Sequence, residues 1–225
     1  MGEAIGQTLP LAAAVAISPF GIVAAVLMLT SGRGSGNGLA FLIGWFAGLM
    51  VVGGLLILLG RGADASSGGQ PAEWTGYAKI LLGLLLLVVA HRQRTKKADD
   101  GEPKSPKWLN RISTLNPPGA FSLGVGLGAV NPKNLVLTMG AAAAITGTGS
   151  PTDEQVLSLL AYALIGSLGA AVPLGIYYFM GDRAEGMLER LKERMARNNG
   201  VIMAVICVLI AAKLIGDGIS TLSLF

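Results

Sequence analysis

The chain has 225 residues, of which 52% are hydrophobic and only 13% charged, with a mean hydropathy of +0.62. Soluble domains carry roughly 25% charged residues, so a water-facing globule is excluded as an account of the whole chain. The formal net charge of +4 does not mark a nucleic-acid binder, because the basic residues follow the loops between apolar blocks.

A helix needs about 20 predominantly apolar residues to cross a bilayer. Six stretches meet or approach that length: 9–29, 39–59, 77–90, 120–145, 156–180 and 201–222. The third is the shortest and must draw on its flanks. The reading is therefore an all-α integral membrane protein with six transmembrane helices and no soluble domain. The N-terminal flank carries Glu3 and no Lys or Arg, the opposite of the basic start of a removable signal.

Charge placement sets the expected orientation. Loop 1 carries Arg33, and loop 3 carries Arg92, Arg94, Lys96, Lys97, Lys104, Lys107 and Arg111. Loop 5 carries Arg183, Arg190, Lys192, Arg194 and Arg197, whereas the even loops and both tails carry only Arg61. Cytoplasmic loops collect Lys and Arg, so the odd loops are expected inside and both termini outside, in the cytoplasmic membrane. Within loop 5, Ala184, Met187, Leu188, Leu191 and Met195 recur at helical spacing, and Glu193 precedes Arg197 by four residues. An amphipathic helix is expected there, on the cytoplasmic surface or extending the fifth helix.

An internal repeat is visible. Ala16-Ile17-Ser18-Pro19-Phe20 in the first stretch and Ala129-Val130-Asn131-Pro132-Lys133 in the fourth each place a short polar residue before a mid-span proline. With three helices in each half, the second half must be inverted, a plan used by many secondary transporters. The expected organisation is residues 1–91 as the first three-helix repeat, 92–117 as a basic cytoplasmic linker, and 118–225 as the second repeat.

Proline breaks a helix in its interior but suits the first position of a new one, and Ser or Asn suits the cap before it. The first and fourth helices are thus expected to be broken, with half-helices starting at Pro19 and Pro132 near the bilayer centre. Helix N-termini favour anions, and Lys133 adds a full charge in the first turn. Two readings of Lys133 stay open: it lines a polar cavity for an anionic group, or it caps carbonyls of the broken helix or snorkels to an interface. The candidate substrate-binding residues are Ser18, Pro19, Asn131, Pro132, Lys133 and Asn134. Lys213 and Asp217, four apart on one helix face, are either a self-neutralising pair or part of a coupling pathway. Lys79 and His91 read as interfacial residues, and Cys207 as a small packing residue. No cofactor is expected. One histidine and one cysteine give no metal set, and no nucleotide-binding or nucleophile motif is present, so an enzyme is not expected.

The two polar-Pro motifs, the long basic middle loop, and the pattern Trp108-Leu109, Gly124 and Ala129-Val130-Asn131-Pro132-Lys133-Asn134-Leu135 resemble the lysine-exporter superfamily. Within it they are similar to the branch of peptidoglycolipid-addressing, or sulfolipid-addressing, proteins of actinobacteria. The resemblance implies a cytoplasmic-membrane protein assisting outward movement of cell-envelope glycolipids. With the half-helix termini, the leading reading is a transporter or flippase-like protein for an anionic lipid-linked substrate. The partners it implies are a lipid-linked anionic substrate and a larger lipid exporter; a homo-oligomer also stays open. Alternatives are a secondary exporter of a small solute such as an amino acid or ion, and an accessory subunit with no substrate path.

Overall fold

The structure is a computed structural model, and it describes residues 2–30, 34–65, 73–95, 112 and 114–222. Arg33, most of the basic linker (96–111) and the Trp108-Leu109 pair lie outside the described residues. The described chain is helical throughout: α1 (Gly2–Ala16), α2 (Pro19–Leu29), α3 (Gly34–Ala65), α4 (Glu73–Thr95), α5 (Pro117–Ala129), α6 (Pro132–Gly147), α7 (Thr152–Met180) and α8 (Ala184–Thr221).

Local chemistry explains where these helices start and stop. α5 opens on Pro117, and the Asn116 side chain accepts a hydrogen bond from the Gly119 N–H at 3.0 Å, which satisfies a donor the helix itself cannot. α7 has Asp153 and Glu154 in its first turn, where negative charge complements the helix dipole. It ends at Gly181, whose φ of +52° suits a residue without a Cβ.

Three helices are long and apolar enough to cross a bilayer among the described residues: Gly34–Gly60, Thr152–Met180 and Gly200–Thr221. The pair α1 and α2, bent by 53° at its break, is a fourth if it counts as one span. α5 and α6, of 13 and 16 residues, are each too short to cross alone. These apolar helices mark a membrane protein, and their exposed faces carry rows of Leu and Val such as Leu55, Leu58 and Leu59 on α3.

The loop-5 expectation needs a correction. The segment from Ala184 is continuous with the last apolar stretch in α8 and is parted from α7 by a single 3-10 turn, Gly181–Arg183. It extends the sixth stretch, not the fifth, because the glycine turn interrupts the chain before the amphipathic segment. Ala184 and Leu188 pack with Val26, Leu29 and Leu174, while Met187 remains exposed. Its solvated face carries an ion pair between Glu189 and Lys192.

Helix packing runs through small residues. A Cβ on Gly44 of α3 would strike the Phe121 backbone carbonyl of α5, and one on Gly124 would strike the Phe41 carbonyl. α4 and α8 meet in the same way, with Gly76, Gly83 and Gly218 against the opposing helix. Lipid offers no hydrophobic drive for helix association, so close backbone approach is what remains.

This predicts opposite outcomes for two glycines of α3. Gly44→Ala should destabilise by about 1–3 kcal/mol, because the obstacle is backbone that cannot turn aside. Gly54, with nothing within 4 Å of its Cβ position, should gain up to about 1 kcal/mol as alanine through helix propensity. Thermal unfolding of both variants in detergent checks the sign of each.

Candidate functional site

Both expected helix breaks form, and they meet. In the first, the Ser18 N–H turns back to the Ala16 carbonyl at 2.8 Å instead of continuing the helix, and Pro19 opens α2. Ser18 occupies the cap position in an extended conformation (φ −109°, ψ 103°), yet its side chain makes no cap hydrogen bond. In the second, Asn131 caps α6, its Oδ1 accepting from the Lys133 N–H at 3.1 Å, with Pro132 in the first turn.

Each break strands carbonyls of the preceding half-helix, and side chains of α6 take them up. Lys133 is 6% exposed, and its Nζ donates to the Ala14 carbonyl at 2.7 Å and the Ile17 carbonyl at 3.3 Å. Ala14 would ordinarily accept from the Ser18 N–H, the donor that the break diverts. Asn134 is fully buried, and its Nδ2 donates to the Leu127 carbonyl at the end of α5 at 3.0 Å. Its Oδ1 is buried without a hydrogen-bond partner. A cation at a helix C-terminus also complements the dipole, so Lys133 pins the start of α6 to the end of α1.

Ser18, Lys133 and Asn134 are buried, as is Pro19. The residues just before the two breaks, Ile17 and Val130, are 47% and 73% exposed. An apolar groove of about 410 Å³ lies between α3 and α7, lined by Leu42, Ile43, Phe46, Leu164, Leu168 and Ala171. The Ser167 hydroxyl at its wall is spent on the Ala163 carbonyl at 2.7 Å. Gly169, one residue beyond Leu168, lies against the Ala16 carbonyl, so groove and first break share a level of α7. A second, more polar cavity of about 470 Å³ lies between Leu29, Thr30, Tyr177 and Glu185. Neither cavity is lined by Lys133.

Lys213 and Asp217 form the expected pair, 2.6 Å apart. They are grouped with Lys79 and Thr221 at the α4–α8 contact rather than with the breaks. Lys79 Nζ donates to Thr221 Oγ1 at 3.1 Å. Among the described residues no three His, Cys, Asp or Glu side chains gather to hold a metal.

The sequence reading missed a buried polar run beside the second break. Thr138 Oγ1 donates to the Asn134 carbonyl at 2.7 Å and lies 3.1 Å from the Tyr162 hydroxyl. The threonine proton is committed to the carbonyl, so Tyr162 is the donor of that second bond. Tyr162, Ser158 and Gln155 are all buried on α7. Their spacing, three and then four residues, puts them on one helix face, a signal that was present.

A family model described as "Sap, sulfolipid-1-addressing protein" matches residues 8–220. The chain belongs to this family. The match spans both breaks and reaches from α1 into α8. The family description names an addressing protein for a lipid. No curated protein and no solved structure matches the chain.

The bonding of Lys133 sets a stability prediction. Lys133→Met leaves two buried carbonyls without their donor, at about 1–3 kcal/mol for unsatisfied buried groups. The variant should unfold at a lower temperature than wild type, and a Lys133→Arg protein should recover part of the loss. An unchanged unfolding temperature for Met would show that the carbonyls are satisfied elsewhere.

Proposed function

We propose that this member of the sulfolipid-1-addressing family moves an anionic cell-envelope glycolipid outward across the cytoplasmic membrane, as part of the wider lysine-exporter superfamily. The anionic group is held at the paired half-helix N-termini by Lys133, Ser18 and the first turn of α6, while the acyl chains stay in the bilayer. The observation that carries this reading is the meeting of two helix breaks around one buried lysine. The exposure of Ile17 and Val130, and the apolar groove beside the first break, favour a substrate arriving sideways from the membrane over a small solute arriving from water.

The same reading takes the chain as six spans in two inverted repeats, 1–91 and 118–225, joined by the linker 92–117. Helix contacts support it: α3 lies on α5 and α6 as α7 lies on α1 and α2, and α2 meets α3 as α6 meets α7. α3 with α7, and α4 with α8, pair as counterparts. A cysteine at Ser150, in the turn between α6 and α7, should label from outside, and one at Ser105 in the linker from the cytoplasm. Cys207 is buried and should stay silent. Labelling of both sites from one side defeats the topology.

One observation favours a second reading, an accessory subunit with no path of its own. Lys133 already has two carbonyl acceptors and lines neither cavity. Vesicles reconstituted with the purified chain separate the two. Under our reading, labelled anionic lipid crosses faster than in protein-free vesicles, whereas an accessory subunit gives no acceleration.

Ser18→Ala is the sharper variant, since its hydroxyl makes no cap bond whose loss would disturb the fold. A hydrogen bond to a charged group contributes about 1.5–3 kcal/mol, so lipid movement should fall by about tenfold or more. The unfolding temperature should stay at the wild-type value. Full activity in this variant would remove Ser18 from the site.

A further inference from the structure

A second set of membrane charges lies where α4 meets α8. Lys213 Nζ is 2.6 Å from Asp217 Oδ2, and Lys79 Nζ donates to Thr221 Oγ1 at 3.1 Å. Thr221 in turn donates to the Asp217 backbone carbonyl at 2.8 Å. Asp217 is within electrostatic reach of Lys79 as well as Lys213. Two ammonium groups therefore share one carboxylate among the described side chains, and Lys79 spends its bond on a neutral hydroxyl.

The cluster is neither sealed nor fully in water. Gly76, Gly83 and Gly218 bring the two helices into backbone contact beneath it, while the side chains of Lys213 and Asp217 are 25% and 43% exposed. Asp217 and Thr221 belong to the last turns of the apolar span Gly200–Thr221, and Lys79 to the second turn of α4. If Gly200–Thr221 spans the bilayer, its last turns lie at the margin of the hydrocarbon layer, where headgroup phosphates begin. Ionisable groups at membrane depth are costly and are seldom left without partners. Among the described side chains one positive charge is in excess here, and an ammonium at the edge of an apolar span attracts anionic headgroups.

We propose that Lys79 and Lys213 form a seat for the phosphate of an anionic lipid headgroup, with Asp217 as the internal anion that the phosphate competes against. The site is distinct from the helix breaks, and it rests on the six-span reading only for its placement in the outer leaflet. Both lysines have flexible stems, so each can turn an N–H toward a phosphate oxygen without movement of the helices. Thr221, held by its bond to the Asp217 carbonyl, keeps Lys79 aimed at the cluster.

The test uses the full chain in neutral detergent, titrated with phosphatidylglycerol and, in parallel, phosphatidylcholine, with retained lipid counted by native mass spectrometry. Wild type should retain phosphatidylglycerol in preference to phosphatidylcholine. Lys79→Gln should weaken that retention about tenfold or more, and Lys79→Arg, which keeps the charge, should preserve most of it. Asp217→Asn should tighten retention, because the competing carboxylate is gone. A purely structural ion network predicts the opposite for Asp217→Asn: lower stability with no gain in lipid. No preference in wild type, unchanged retention in Lys79→Gln, or loss of retention in both Lys79→Arg and Asp217→Asn overturns the proposal. Displacement of the lipid by an equal concentration of inorganic phosphate would reassign the seat to a free anion. Retention is measured at equilibrium without transport, so a failure of the midplane reading leaves this result standing.

Discussion

Backbone groups inside a bilayer have no water to fall back on, and the bonding of Lys133 answers that constraint at the place where the fold violates it. Each polar-Pro pair interrupts a helix and strands carbonyls of the preceding half. A charged lysine at the centre of a membrane helix costs at least about 2.5 kcal/mol on insertion scales, the position that the six-span reading proposes for Lys133. Here the charge is offset by two carbonyl acceptors and by the negative end of the α1 dipole. The break in α1 is tolerable because α6 supplies Lys133, and Lys133 is tolerable because α1 is broken. Asn134 does the same for the end of α5 with a neutral amide.

This mutual dependence sets the rest of the packing. Pinning the start of α6 to the end of α1 brings the two halves together at their interrupted helices. α7 then closes on α1 through Gly169 and Gly166, and α3 closes on α5 through Gly44 and Gly124. Trp45 links these layers: its indole N–H donates to the Gly166 carbonyl at 3.3 Å, and its ring lies against Gly21 of α2. A large side chain at any of these glycines would separate the helices that hold the breaks in register.

What could be read from the sequence was local. Ser18-Pro19 and Asn131-Pro132 declare their breaks because proline lacks an N–H, wherever the helix goes next. Lys213 and Asp217 declare their pairing because four residues is about one helical turn. The acceptors of Lys133 were not legible, since Ala14 and Ile17 are brought to it only by tertiary packing. The loop-5 segment showed its amphipathic face but not its attachment, which turns on one positive-φ glycine at 181. The buried partners on α6 and α7, Thr138 and Tyr162, were legible as spacing on each helix but not as a contact.

The resting geometry also constrains what a substrate must offer under the proposed function. An anionic headgroup approaching Lys133 competes with two carbonyls, and a full negative charge attracts an ammonium more strongly than a dipole does at the same distance. Displacement then leaves the Ala14 and Ile17 carbonyls without a donor in a poorly hydrated place, which returns much of the gain. Asn134 Oδ1, already buried and unpartnered, is a further acceptor in the same half-helix. A bare anion meets the ammonium alone and worsens the shortage of donors. A headgroup that carries hydroxyls beside its anionic oxygen meets both needs, giving the ammonium a charge and the stranded carbonyls their hydrogen bonds. The bonding at the breaks therefore favours a sugar-bearing anionic lipid over a simple phospholipid as the group moved at the midplane.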